Sequence, residues 1–469
     1  MSVAEMSLMP VDDSSVIGLL DHMGYGNLGD AAIQESVIAN IKKRLPNARL
    51  VAFSLIPDDT TKRHGIPCYP ILRWHPTLEK TGNQAGGTRN LTSRLKKALK
   101  NNPLVYTWAK PALELVREVG FWVRSYRVLR SLDLLIISGG GQLCEIWRGP
   151  WSHPYTIFKF SLLTKLARKK LYFLNVGAGP LKHPLSKFFA KCSVQLADYR
   201  SFRDRESEDL VRSLGVKSKT HVYPDPAYAL EVGDSLRNAH RHSSRPVVGL
   251  NPIGFCDPRI WYRKDDPTYQ EYLEKITRFS AWLLEQGYDL RVFTTETSVD
   301  HQAIEDLRAR LLSRLPPELV KGVFRTPSWG VKDVLGEMSE FDFIVTSKFH
   351  GIIFSQLLRK PVIALSYHRK MDVAMRGQDH LCADIERFDV DWLINAFRSL
   401  VDENSRIKLA CAAAVEARAA ELSEQFDSLF LNDTNLGRNG QPCNHSANGP
   451  EEFDISRSAG RVLPTPENP

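Results

Sequence analysis

The chain has 469 residues, a formal net charge of +8 and 43% apolar residues, too long for one ordinary core and rich enough to fill two. No stretch approaches ~20 uninterrupted apolar residues, and the N-terminus, with Asp12 and Asp13, lacks the basic-then-apolar order of a signal peptide, so a cytoplasmic protein is expected. Seven scattered cysteines without CxxC or Cys/His spacing argue against a disulfide scaffold or a metal, and the positive charge favours acidic partners without any zinc-finger or aromatic RNA-binding signature for nucleic acid.

Residues 1–14 read as a tail. Val16 to Leu20 is a short apolar run that ends in Gly24-Tyr25-Gly26-Asn27-Leu28-Gly29-Asp30, and Ala31 to Leu45 follows with helical spacing. With the strand expected at Ala48 to Leu55, this makes a strand-helix-strand crossover, the unit of a parallel sheet. A basic insertion spans about 80–130, and in it Leu91, Leu95 and Leu99 share a helical face beside Arg94, Lys96, Lys97 and Lys100. That segment suits a helix packed on the domain with a solvated cationic edge, and it leaves a peripheral contact with the cytoplasmic membrane face open. Leu132 to Ile137 is a buried strand running into Ser138-Gly139-Gly140-Gly141, and Leu171 to Val176 ends likewise at Gly177-Ala178-Gly179-Pro180.

Tyr199 to Phe202 is β-like and leads into Arg203-Asp204-Arg205-Glu206-Ser207; His221-Val222-Tyr223 precedes Asp225-Pro226-Ala227. Residues 15–232 therefore form one Rossmann-like domain, and the polar, basic stretch 233–246 has linker composition. The pattern restarts with strands at Val247, Asp289, Phe341 and Pro361 alternating with helices at Thr268 to Gln286 and Asp300 to Leu315, giving a second domain over 247–430. Residues 431–469 are rich in Asn, Gly, Ser and Pro and read as a disordered tail. The fold class expected is α/β, with two doubly wound Rossmann-like domains facing a cleft, a GT-B-like arrangement.

Several residues at strand edges invite a chemical reading. The first glycine-rich turn offers backbone N–H groups to an anion or a sugar hydroxyl, but it is not a clean GxGxxG and no acidic residue follows the second strand to hold a ribose. Asp30 and Asn27 there are helix caps, site groups or both. Arg203 is either paired to Asp204 or a guanidinium fork for carboxylate or phosphate, and Asp225 is a turn residue or lines the cleft. Lys348 and His350 would share a side if strand geometry continued past Thr346, and Gly351 would let the backbone approach a ligand. With Lys370 after the next strand, an anion pocket with one proton-transfer group is expected.

The ordered set GYGNLGD, SGGG, NVGAGP, RDRES, DPA, SKFHGIIFS and PVIALSYHRK resembles the polysaccharide pyruvyl transferase family, over roughly Val16 to Met375. The resemblance implies a GT-B-like fold, no cofactor, phosphoenolpyruvate as co-substrate and donor, and as acceptor a sugar of a cell-surface polysaccharide or of its lipid-linked precursor. The product it implies is a cyclic pyruvate ketal, with phosphate released. Arg203 and Lys348 then become the anchors for the donor, His350 the proton donor and Lys370 a partner for the leaving phosphate. Asn27 and Asp30 would hold the acceptor or act as base, and Gly26, Gly140, Gly141 and Asp225 would contact substrate. Where many members carry an arginine, this chain has Lys348, a point charge instead of a bidentate fork. A GT-B glycosyltransferase using a nucleotide sugar and a non-catalytic component of a polysaccharide assembly complex are the competing readings.

Overall fold

The computed structural model describes residues 13–21, 26–73, 103–145, 149–238 and 245–431, with the side chains of 103–113 and 379 set aside. The segment Leu91 to Lys100, most of the N-terminal tail and the tail from 432 onward lie outside the described residues. In chain order the first half comprises β1 (Val16–Leu20), α1 (Leu28–Arg44), β2 (Arg49–Ser54), α2 (Pro57–His64), β3 (Cys68–Pro70), α3 (Pro103–Arg130), β4 (Leu134–Ser138), α4 (His153–Leu166), β5 (Lys170–Val176), α5 (Pro184–Leu196), β6 (Tyr199–Phe202), α6 (Arg205–Ser213) and β7 (His221–Val222). The second half comprises β8 (Val247–Asn251), α7 (Asp266–Glu285), β9 (Asp289–Val292), α8 (His301–Arg314), α9 (Val331–Ser339), β10 (Phe343–Thr346), α10 (Phe349–Leu357), β11 (Val362–Ser366), α11 (Arg369–Ala374), β12 (Cys382–Asp384), α12 (Val390–Asp402) and α13 (Asn404–Phe430).

Two parallel sheets result, a seven-stranded one in the order β3-β2-β1-β4-β5-β6-β7 and a five-stranded one in the order β12-β11-β10-β8-β9. Their central strands β4, β8, β10 and β11 are buried along their whole length. Parallel strands covered on both faces have no wet side, which is why they read as unbroken apolar runs. Strand order reverses between β1 and β4 in the first sheet and between β8 and β10 in the second. At such reversals the connections leave in opposite directions and open a crevice beyond the carboxyl ends of the strands, the usual seat of a ligand in an open α/β sheet.

Among the contacts that join the sheets, two sets matter for the site. At the crevice, Asn27 and Glu296 form an antiparallel bridge, with Leu28 N–H donating to Thr295 C=O at 2.9 Å and Thr297 N–H to Gly26 C=O at 3.1 Å. Behind it, α13 returns to the first half: the Gln425 amide exchanges hydrogen bonds of 2.8 Å with Asn175, and the Arg44 guanidinium meets Asp427 at 2.7 Å. One apolar cluster runs from Ile17, Ile33 and Ile136 through Tyr228 into Val248, Ile344 and Phe354, so the two sheets share a core.

Candidate active site

Asp30 and His350 follow the reversal strands β1 and β10, and Arg203 after β6 and Lys370 after β11 come close to them from neighbouring strand ends. Asn27 caps α1, its side-chain oxygen accepting from the N–H groups of Gly29 and Asp30 at 3.0 and 3.2 Å while its amide donates to the Asp30 carboxylate at 3.0 Å. Cap and site carboxylate thus coincide in one turn, and Asn27 aims Asp30. Burial, then the nearby Glu296 and Asp225 carboxylates, push the Asp30 carboxyl up to about 7 against the pull of Arg203 and Lys370. A carboxyl that exchanges its proton near neutrality suits general acid or base work.

Arg203 follows β6 and lies beside Gly177, whose missing side chain makes the room: a Cβ there would sit 2.5 Å from the guanidinium. Asp204 and Asp225 approach it only at 3.5 and 3.7 Å, ion-pair distances without hydrogen bonds in the fork. Asp225 itself is buried, caps the turn at Pro226 and stands behind Arg203, which gives it an orienting place. The guanidinium and the Lys370 ammonium each lie 5.3 Å from the centre of the Phe349 ring, one arriving from each sheet. Burial and then Arg203 lower the Lys370 ammonium to about 8, with Asp225 and Asp30 opposing. Two cations against one ring, each disfavouring the other's charge, are an arrangement that suits an anion.

The second sheet departs from the strand geometry expected for Lys348 and His350. β10 stops at Thr346 and α10 starts at Phe349, so Lys348 is the N-cap and His350 lies in the first helical turn. The two do not share a strand face. The reason is local: the Lys348 N–H is taken by the Thr346 hydroxyl at 3.1 Å, which turns the chain into the helix. Gly351 serves packing, since a Cβ there would lie 2.2 Å from that hydroxyl. Lys348 is not the open anchor expected, for its buried ammonium is held by Glu296 at 2.6 Å and Asp300 at 3.0 Å. Burial works against its charge, but those carboxylates outweigh burial and hold the ammonium above its ordinary value. Asp300, desolvated beside Lys348 and Glu296, rises to about 6. Glu296 and Asp300 lie in the loop after β9, and nothing in the sequence order links them to Lys348.

His350 reaches across to the first sheet. Its Nδ1 would lie 1.9 Å from a Cβ on Gly29, so only glycine at that position leaves the imidazole its place. Burial, then Lys370, Arg203 and Lys348, hold the imidazole well below its ordinary value, in its neutral form. The imidazole Nε2, the Arg203 Nε and the Asp225 Oδ2 are buried without hydrogen-bond partners among the described residues. Buried polar groups of this kind call for an explanation, and three of them on neighbouring site residues suit a binding role.

The glycines expected to touch substrate divide. Gly140, at φ 58°, borders Asp30, where a Cβ would be 3.4 Å from the carboxylate, and belongs to the site wall. Gly141 is exposed, and its nearest neighbour is Cys144. Gly26, at φ 71°, is spent on the bridge between sheets: a Cβ there would strike the Thr297 hydroxyl at 2.1 Å. Among the described residues no group of His, Cys, Asp or Glu side chains has the arrangement of a metal site.

A family profile described as polysaccharide pyruvyl transferase matches residues 27–369, from the α1 cap through the approach to Lys370. The chain belongs to the polysaccharide pyruvyl transferase family. For this member of the family, solved structures speak to fold alone. A Listeria monocytogenes protein assigned as a UDP-N-acetylglucosamine 2-epimerase shares 11% identity and aligns at TM-score 0.50, covering 88% of this chain and 97% of its own. UDP-GlcNAc 2-epimerase from Neisseria meningitidis, bound to UDP-GlcNAc, shares 14% identity over 84% of this chain and 93% of its own, at TM-score 0.49. ADP-heptose LPS heptosyltransferase II from E. coli shares 12% over 83% and 99%, at 0.42. No curated protein matches the sequence. The fold is α/β and GT-B-like, two Rossmann-like sheets facing one crevice.

Proposed function

We propose that this transferase moves pyruvate from phosphoenolpyruvate, as a cyclic ketal, onto two hydroxyls of a sugar in a cell-surface polysaccharide or its lipid-linked precursor, with no cofactor. The observation that carries the reading is the pair Arg203 and Lys370 converging on Phe349 beside an unpartnered imidazole and a carboxyl that titrates near neutrality. The donor carries a carboxylate and a phosphate, and two adjacent cations from opposite sheets supply one partner for each. Lys348, already neutralised by Glu296 and Asp300, acts by fixing the first turn of α10 and so the place of His350.

In the reaction a proton adds to the methylene carbon as one sugar oxygen bonds to the neighbouring carbon. That carbon then loses phosphate, which keeps the bonding pair, and takes the second sugar oxygen. Of the two hydroxyl protons, one replaces the proton delivered to carbon and the other leaves on phosphate. His350 delivers the first proton and Asp30 accepts from the attacking hydroxyl. Burial, and after it the surrounding cations, hold the imidazole neutral, and the donor's negative charge offsets those cations, so proton uptake accompanies donor binding. Gly140 and Asn27 beside Asp30 form the acceptor side.

The test is incubation with phosphoenolpyruvate and candidate saccharides, following phosphate and the ketal methyl signal by NMR. The expected result is phosphate release that requires acceptor and falls by on the order of a hundredfold or more in His350→Ala. Release of a nucleoside diphosphate from a nucleotide sugar, with no reaction of phosphoenolpyruvate, would replace the reading by glycosyl transfer.

A further inference from the structure

The helix α3 turns an unusual face to solvent. Phe121, Ser125 and Leu129 point into the domain, while on the opposite side Leu115, Val116, Val119 and Val123 are between 44 and 67% exposed. A helix at a protein surface ordinarily puts polar residues there. Toward the C-terminus the same outward side continues with the exposed Arg127 and Arg130, flanked by Arg124. The carboxylates of this helix are turned away from that face: Arg73 and Arg117 hold Glu114, and Arg73 and the buried Lys159 hold Glu118.

Neighbouring helices add to the surface. Trp122 of α3 donates to the Tyr155 hydroxyl of α4 at 3.1 Å, and Tyr155 packs on Trp151, whose indole is 67% exposed. Phe188 of α5 is 53% exposed between the exposed Lys187 and the partly exposed Lys191. Aliphatic side chains, an indole and a ring, bordered by cations and without a free carboxylate on the helix face, have the composition of an interfacial amphipathic surface. No helix among the described residues is long and apolar enough to cross a membrane, so the contact would lie in the plane of the interface.

We propose that the outward face of α3, with Trp151 and Phe188, rests on an anionic lipid surface. Charge complementarity selects this occupant: an anionic bilayer offers headgroups to Arg124, Arg127 and Arg130 and a hydrocarbon boundary to the valines, both at once. The inference stands apart from pyruvyl transfer, because this face lies on helices that contribute no residue to the site.

The full chain would be sedimented with vesicles containing phosphatidylglycerol and, separately, with pure phosphatidylcholine vesicles. Binding to the first, weakening with salt, is expected, and Val119→Asp with Val123→Asp should reduce it at least about tenfold. Arg127→Glu with Arg130→Glu should reduce it by roughly thirtyfold, at about 1 kcal/mol per arginine, while phosphate release with a soluble acceptor stays unchanged in both variants. No sedimentation with anionic vesicles, or binding that survives both variants, overturns the proposal. So does a dimer that both variants dissolve in the absence of vesicle binding, which would give the face to a second copy.

Discussion

Arg203 and Lys348 occupy equivalent places, each just past a strand of a parallel sheet and at the start of the next helix, yet they differ in what they can do. The carboxylates nearest Arg203 stand off at 3.5 and 3.7 Å, leaving its fork incompletely used. Those nearest Lys348 close to 2.6 and 3.0 Å and neutralise it. A cation at a strand edge is thus a binding group only if its counter-charge is left unspent. In this molecule the free positive charge of the second sheet is carried instead by Lys370.

The sharpest way to break the comparison is to remove each cation. Lys348→Ala would leave Glu296 and Asp300 facing each other in a buried place, and should lower unfolding stability by about 3–5 kcal/mol. Lys348→Met with Glu296→Gln and Asp300→Asn should recover most of it, measured by denaturant unfolding. Arg203→Ala should instead leave stability within about 1 kcal/mol while lowering kcat/KM for phosphoenolpyruvate by on the order of a hundredfold, about 3 kcal/mol of transition-state stabilisation. If the two effects were interchanged, the assignment of roles would be inverted.

Asp30 tests the neighbourhood of both. Its folded pKa of about 7 stands above the ordinary 3.8, so the folded chain binds that proton more tightly than the unfolded one. Its contribution to stability is therefore largest below the ordinary value and declines as pH rises through about 7. Asp30→Asn should abolish most activity yet raise stability at pH ~8 by up to about 4 kcal/mol, with little change at pH ~4, read from thermal melts at both. Calorimetric titration of phosphoenolpyruvate in buffers of differing ionisation heat should register net proton uptake near neutral pH, as the donor's charge raises the His350 imidazole. The smallest effect belongs to Gly26→Ala, where a positive φ and the Thr297 hydroxyl both oppose a side chain, at about 1–3 kcal/mol.

Much of this architecture was legible in the sequence because its determinants are local. The unbroken apolar runs at Leu134, Val247 and Val362 announce strands covered on both faces, and glycines follow β4 and β5 where loops must be tight. Helix α4 escaped that reading, since aromatic residues and Lys159 break the amphipathic period of a segment largely enclosed between neighbours. In the site, Asp30, Arg203, His350 and Lys370 stood out as chemistry-bearing residues beside strand ends. Their mutual arrangement did not, because ion pairs such as Lys348 with Glu296 and Asp300 join residues some fifty positions apart. The need for glycine at 29 was equally hidden. It follows from an imidazole 321 positions later in the chain, although two further glycines in the same motif gave a hint that space mattered there.

The antiparallel bridge of Asn27 with Glu296 fastens one half of the molecule to the other within a residue of Leu28 and beside Asp30. Any gaping of the halves would have to tear those amide links at the proposed site itself. Under the proposed function, a saccharide chain is therefore better served by threading in along the seam than by waiting for a clamshell to open. Such a stitched entrance would favour the end or a protruding branch of a glycan over residues deep within a long polymer.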